Sequence, residues 1–325
     1  MDRPAKSTRN LSKFCQMPLS RHLSRRFPFQ VSQSFVSFLG RLYYWRHPAE
    51  RALICRTIDR VFCRWPLPQR RSLHRRTFQG IYRHYQEKLF LAYAGENAVR
   101  DFLHQRLALR GTGELLTALG QGRGVIMVTG HYGAVEFLPA ALGLAGFPAA
   151  VIVRPQTPAL AASMAKRAAL VNLSLIFPEN GKVLPTALRA LRQGRILITE
   201  MDEFEMWRGQ EDDFVNFLGF SLPGDRTLDV LQKRSQAPLF TALVHRQPQR
   251  CYTVDMQPIL APPSGQGVGS QCLQRLEQAI WSAPEQWYQW KEFGKLLATL
   301  PGQERPEPRT VATQRQPQLA QLAHA

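Results

Sequence analysis

The sequence has no uninterrupted apolar run near the ~20 residues that a membrane-crossing helix needs. Its first 30 residues mix basic and polar side chains. They offer neither an apolar core nor a small-residue cleavage site, so no signal peptide is expected and the body of the protein is expected in the cytoplasm. The five cysteines, Cys15, Cys55, Cys63, Cys251 and Cys272, form no CxxC pair. An odd, scattered set lacks structural-zinc spacing, argues against a disulfide framework and fits a reducing compartment. Acidic residues are scarce in the first third. Residues 1–110 hold 6 Asp and Glu against 22 Lys and Arg, a net +16, whereas the rest of the chain holds 18 against 20. No helix-turn-helix or zinc-finger pattern accompanies that charge, which argues against a nucleic-acid-binding protein. An anionic membrane or an acidic protein remains as the partner such a field attracts. Internal repeats and low-complexity tracts are absent too. With 325 residues, 44% of them hydrophobic, the chain has enough material for one large or two small folded domains.

The N-terminal region reads as basic and helical. Residues 1–30 are rich in Ser, Arg and Lys and are expected to be flexible, followed by a membrane-associating helical region over 31–110. Val31, Phe35, Phe38, Leu39 and Leu42 fall on one helical face, flanked by Arg25, Arg26 and Arg46. Such a segment is too short to span a bilayer but can lie in its surface, or it can pack on the protein's own core; the pattern allows both. The run Arg64, Arg70, Arg71, His74, Arg75 and Arg76 precedes a second stripe, Phe78, Ile81, Tyr82, Tyr85, Leu89 and Phe90, which reads as core.

From Gly122 the texture changes. Short β-rich runs at 124–129, 149–153, 173–177 and 195–199 alternate with helical stretches at 134–145, 158–171 and 182–192, and further strands are expected at 239–244 and 252–259. Strand and helix alternating with short connections imply an α/β fold with a mostly parallel central sheet flanked by helices. We expect this domain over 111–298 and a disordered Pro/Gln/Arg/Ala-rich tail over 299–325.

Ligands of open α/β sheets bind outside the carboxyl ends of the strands. The first strand there runs into Thr129-Gly130-His131-Tyr132-Gly133-Ala134-Val135-Glu136, an HxxxxE arrangement. Along a continuous helix, residues five apart diverge by ~140°. His131 and Glu136 therefore meet only if His131 lies in the turn before the helix, and Gly130 and Gly133 supply freedom for that turn. A histidine held by a carboxylate is a poised general base, suited to deprotonating a hydroxyl.

This segment resembles the bacterial lipid A biosynthesis acyltransferases, the lauroyl/myristoyl transferases, whose usual form is a hydrophobic strand followed by H-x-G-N-W-E. His131, Gly133 and Glu136 match, while Ala134 and Val135 replace Asn and Trp. Further pieces follow in order. Arg154-Pro155 is similar to the family's Arg-Pro, and Arg167 to the arginine on the helix after it. Asp202 stands where the family has Asp-Gln, with Glu203 as its partner here. Phe217-Leu218-Gly219 resembles Phe-Phe-Gly, and Pro284-Glu285-Gln286-Trp287 resembles Pro-Glu-Gln-Trp.

The resemblance spans roughly residues 30–295 and implies a glycerol-3-phosphate acyltransferase-like fold. It implies an acyl group arriving as a thioester on acyl carrier protein or coenzyme A, and a hydroxyl of a glycolipid such as a lipid A precursor, or another phospholipid or polar lipid, receiving it. His131 is then the base and Glu136 orients it; Gly133, Arg154, Arg167 and Asp202 are the residues around the substrates, with Arg154 on a phosphate of the acceptor or of the donor. That mechanism requires no metal or redox cofactor. It places the enzyme at the cytoplasmic face of the inner membrane, peripheral or shallowly inserted. The departures at Ala134, Val135 and Glu203 mark a divergent member. They leave open an inactive homologue that binds lipid or a partner.

Overall fold

The computed structural model describes residues 11–16, 18–26, 29–207, 214–260 and 267–300. Nine strands form within them: β1 Leu107–Arg110, β2 Val125–Thr129, β3 Ala149–Ile152, β4 Leu173–Ile176, β5 Ile196–Glu200, β6 Phe214–Phe217, β7 Phe220–Pro223, β8 Leu239–Arg246 and β9 Tyr252–Ile259. Seven of them make one sheet in the order β1-β9-β8-β2-β5-β3-β4. Every neighbouring pair is parallel except β8 and β9, which form an antiparallel hairpin. The α/β class and the mostly parallel sheet are therefore as the sequence implies. The central strand β2 is buried at all five positions, because helices cover both faces, and a parallel strand so placed must be continuously apolar rather than alternating.

Two strand assignments differ from expectation. β1 extends the sheet at its edge from within residues 31–110, so the region read as helical also supplies one strand, ending at Arg110. β6 and β7 form a separate antiparallel hairpin. Its turn at Leu218-Gly219, the Phe-Leu-Gly segment, carries positive φ at both residues, 52° and 82°.

Six helices precede the sheet: α1 Leu11–Cys15, α2 Pro18–Arg26, α3 Phe29–Arg46, α4 Pro48–Val61, α5 Leu67–Tyr93 and α6 Glu96–Arg106. Residues 11–16 and 18–26, expected to be flexible, are mostly helical, and Leu11 and Cys15 are buried in the core. Residues 1–10 and 301–325, including nearly all of the expected tail, lie outside the described residues. Among the described residues no helix is long and apolar enough to cross a membrane.

α3 divides its apolar residues between two faces. Val36, Leu39 and Tyr43 are buried inward. Val31, Phe38 and Trp45, spaced seven apart and so nearly eclipsed along the helix, stand outward at 47%, 59% and 73% exposure. Leu39 therefore does not share the exposed face of Val31 and Phe38, although all three fit one broad stripe in the sequence.

α5 is 27 residues long, ~40 Å at 1.5 Å per residue. Its buried side includes Leu73 and, from the stripe read as core, Phe78, Ile81, Tyr82, Leu89 and Phe90, while Tyr85 of that stripe is partly buried. The helix also carries His84, Glu87 and Lys88 to the carboxyl ends of the strands. A bidentate ion pair anchors it there: Arg246 at the end of β8 donates from Nε and Nη2 to Glu87 at 2.9 and 2.7 Å, with both side chains almost wholly buried.

Candidate active site

β2 and β5 pair in parallel with Thr129 opposite Glu200, and the Met201 N–H donates to the Thr129 carbonyl at 2.8 Å. The two chains thus leave the sheet side by side. The residues two further along each, His131 and Asp202, meet as a direct consequence of strand register. Asp202 is completely buried. Its carboxylate accepts the His131 backbone N–H at 2.9 and 3.1 Å and the Trp287 Nε1–H at 2.8 Å, and its Oδ1 lies 2.8 Å from His131 Nδ1. A carboxylate there fixes the Nδ1–H tautomer and stabilises the imidazolium. It leaves Nε2 for a substrate.

Nε2 lies 3.4 Å from Glu200 Oε2. Burial disfavours the charged imidazole, but Glu200 and Asp202 outweigh it and push the His131 pKa up to about 10. Burial, partly countered by His131, raises Glu200 to about 7. The two groups titrate as a coupled pair, in which the imidazole keeps its proton at neutrality while Glu200 changes charge.

Glu136 is placed differently from expectation. His131 does lie in the turn before the helix, which begins at Phe137. Among the described residues, however, no hydrogen bond or ion pair joins Glu136 to His131. The Glu136 carboxylate instead accepts from Lys88 Nζ at 2.9 Å and faces His84 Nε2 at 3.7 Å, both on α5. The reason is geometric. Glu136 is at the helix start, pointing toward α5, while β5 delivers Asp202 to the histidine from the neighbouring strand.

The remaining expected site residues also resolve individually. Gly133 serves the backbone: its φ is +59°, and a Cβ there would sit 1.7 Å from the Val244 carbonyl oxygen, so only glycine lets the turn approach β8. Arg154, at the end of β3, donates to Glu203 at 3.0 Å. Arg167 donates from Nε to the Ala92 carbonyl at 2.9 Å and also bonds the Ala94 carbonyl, closing the carboxyl end of α5. Gln286 receives the Arg246 backbone N–H at 2.8 Å while Trp287 holds Asp202, which gives the Pro-Glu-Gln-Trp segment its physical meaning. Sequence reasoning missed Glu200, Lys88, His84 and Trp287 as site residues. The available signal was Thr-Glu-Met-Asp at 199–202, acidic residues at the carboxyl end of a strand adjacent to β2.

His131 opens onto a cavity of about 540 Å³. Leu138, Val151, Leu160, Met164, Leu173 and Leu175 give it an apolar lining from β3, β4 and the helices beside them. Strand ends and α5 contribute the polar lining: His131, Glu200, Glu203, Arg154, Lys88 and His84. His84 is stacked on Tyr288 at 3.8 Å, and its pKa is driven well below normal by burial and by Lys88 and Arg246. The ligating atoms of His131, Glu200 and Glu203 lie within 4.8 Å of one another, close enough to hold a cation.

A histidine with one nitrogen locked, lining a cavity that is apolar on one side, can take a proton from a hydroxyl held beside a lipid chain. The family model of the bacterial lipid A biosynthesis acyltransferases matches residues 20–292. The chain belongs to this family. Among curated proteins there is no significant match. Membership in a lipid A acyltransferase family implies acyl transfer as the general activity, with an acyl donor and a lipid acceptor as its substrates.

Proposed function

We propose that this lipid A acyltransferase homologue moves a fatty acyl group from a thioester, on acyl carrier protein or coenzyme A, to a hydroxyl of a glycolipid such as a lipid A precursor, with His131 as general base. The observation that carries the reading is the His131 Nδ1–Asp202 contact at 2.8 Å in a histidine that lines the cavity. Nε2 takes the proton of the acceptor hydroxyl, whose oxygen attacks the thioester carbonyl carbon. As the tetrahedral intermediate collapses, the C–S bond breaks and the imidazolium returns its proton to the departing thiolate. Asp202 is a positioning residue, holding the tautomer throughout. The apolar lining near Leu160 and Leu175 suits the acyl chain. No residue of this mechanism calls for a metal or redox cofactor.

The outward stripe of α3 supports docking on an anionic membrane surface. Val31, Phe38 and Trp45 are apolar and exposed, with exposed Arg25, Arg26 and Arg46 at the helix ends. This is the pattern of a helix that lies in an interface rather than across it. It fits a peripheral enzyme at the cytoplasmic face of the inner membrane.

The test is acyl transfer from acyl carrier protein to a panel of lipid A precursors and other polar lipids in detergent, read by mass spectrometry, with wild type and His131→Ala in parallel. A lipid that gains one acyl mass with wild type alone supports the reaction and the base. No product on any acceptor from a folded wild type overturns the reading and leaves a lipid-binding homologue without turnover.

A further inference from the structure

Acyl transfer creates two charges, and His131 accounts for one of them. As the acceptor oxygen adds to the thioester, the carbonyl oxygen takes up a negative charge that needs hydrogen-bond donors. The three amides that follow His131 are already spent. Tyr132 donates to the Gly130 carbonyl, Gly133 to that of Gln286 and Ala134 to that of Val244. Side chains are the next source.

Lys88 has the donors and the place. It lines the cavity together with His131, and its side chain keeps 22% exposure. An ammonium carries three donors. One goes to Glu136 Oε1 at 2.9 Å, and among the described residues Lys88 has no other hydrogen bond or ion pair. Two are left for a ligand. Lys88 and His131 both act on the charge of His84, whose Nε2 lies 3.7 Å from the same Glu136 oxygen. Burial works against the ammonium, but Glu136 and Glu200 outweigh it and raise the Lys88 pKa; Glu200 is the residue 3.4 Å from His131 Nε2. The position is also rigid. Glu87, next along α5, is locked to Arg246 by hydrogen bonds at 2.9 and 2.7 Å. A donor held in place beforehand costs no reorganisation when the charge develops. Arg154 is placed differently: it pairs with Glu203, and the two are more open to water, at 33% and 36%.

We propose that Lys88 is a catalytic residue that donates to the oxyanion of the tetrahedral intermediate, and that Glu136 is the positioning residue that holds it there. This rests on the acyltransferase reading. The His131–Glu136 spacing then serves something other than orienting the imidazole. One short turn sets the base at its start and the tether of the oxyanion donor at its end. The acceptor oxygen forms the new C–O bond as its proton passes to Nε2, and the carbonyl π pair moves onto oxygen beside the ammonium. That pair returns as the C–S bond breaks and the thiolate takes the proton back from the imidazolium. Lys88 lends hydrogen bonds throughout and transfers no proton.

The test has a kinetic arm and a binding arm. Lys88→Met should lower kcat by about 10²–10³-fold, the usual loss of one oxyanion donor, and Lys88→Arg, which keeps the charge, should retain more activity. Because Lys88→Met strands the Glu136 carboxylate, it is also combined with Glu136→Gln. The double variant should regain the wild-type Tm without its kcat; recovery of both makes Lys88 structural and overturns the proposal. The binding arm uses two unreactive acyl-pantetheine analogues, one with a tetrahedral anionic phosphonate in place of the thioester and one with a planar neutral amide, titrated by calorimetry in detergent. Wild type should favour the phosphonate by about 10²-fold or more, as expected of a transition-state analogue, and Lys88→Met should lose that preference. No preference in wild type, an unchanged preference in Lys88→Met, or a preference lost only in Arg154→Met overturns the proposal. The analogues do not turn over, so the two readings fail separately. A preference lost in Lys88→Met, with no acyl transfer by wild type to any acceptor, keeps Lys88 as the donor to the anion and sinks the acyltransferase reading. Acyl transfer that Lys88→Met leaves intact keeps the reaction and sinks the role of Lys88.

Discussion

Asp202 grips His131 twice, accepting its backbone N–H at 2.9 Å and contacting Nδ1 at 2.8 Å, while the motif partner Glu136 turns away to Lys88. Asp202→Asn removes the negative charge behind the imidazole and allows the wrong tautomer. It should lower kcat by about 10²–10⁴-fold, the worth of general-base catalysis, with KM for the lipid little changed. Glu136→Gln acts only through Lys88 and α5 and should cost less. Steady-state kinetics of the two variants decide the matter: a larger loss in Glu136→Gln would return the orienting role to Glu136.

The pH profile should show the carboxylate facing Nε2. A base works only when unprotonated, and His131 is raised to about 10, with Glu200 at about 7. Activity of the wild type should therefore climb with pH from neutrality into the alkaline range. Glu200→Gln removes a negative charge that stabilises the imidazolium, so the histidine pKa falls and the base form is present at lower pH. The rising limb of kcat/KM against pH should move down by about 1–3 units, the usual effect of one close charge. A limb that stays in place would show that Glu200 does not act on His131.

Membrane docking through α3 predicts a stripe-specific effect. Trp45 and Phe38 are already exposed at 73% and 59%, so replacing them removes little from the folded core. Burying one such side chain is worth about 1.5–3 kcal/mol, and Trp45→Asp or Phe38→Asp should weaken sedimentation with anionic vesicles by about tenfold or more. Val36→Asp, on the inward face, should instead destabilise the protein. Vesicle binding unaffected by Trp45→Asp would remove α3 from the interface.

Strands β2, β3, β5 and β8 were legible because each is a compact, mostly buried apolar run bounded by turns, whereas β4 at the sheet edge is a partly exposed run and β9 alternates Val254 and Met256 with Asp255 and Gln257, the other pattern that marks a strand. β1 was not legible, because Leu-Ala-Leu-Arg at the sheet edge is half exposed and carries the charge of the region before it. At the site, His131 was legible from its place at a strand end and Gly133 from the turn it permits. The role of Asp202 was not. It depends on the order β2-β5-β3, in which a strand distant in sequence lies beside β2, and no spacing along the chain records lateral order in a sheet. His84, Lys88 and Glu87 were hidden for a related reason. They occupy one side of a long helix whose apolar stripe explains the pattern fully without them.

The pair Glu87–Arg246 is where stability and the site are joined. Both charges are nearly sealed from water, at 0% and 5% side-chain exposure, and two donors meet two acceptors. Arg246→Met leaves a buried carboxylate with its partner gone, a change that costs about 3–5 kcal/mol; in a chain of this size that is a drop in Tm of roughly 6–20 °C. Glu87→Leu with Arg246→Met removes both charges and should restore most of the loss, since an apolar pair of similar volume avoids the desolvation cost. The pair also fixes α5 one residue from Lys88 and three from His84. If its purpose is only stability, the double variant should recover full kcat along with Tm. If it also sets the register of α5 against the cavity, Tm should return while KM for the acceptor stays raised, because Lys88 and His84 would no longer be held in place. Thermal unfolding and acceptor KM measured on the same three proteins separate these outcomes, and the geometry of the bidentate contact predicts the second.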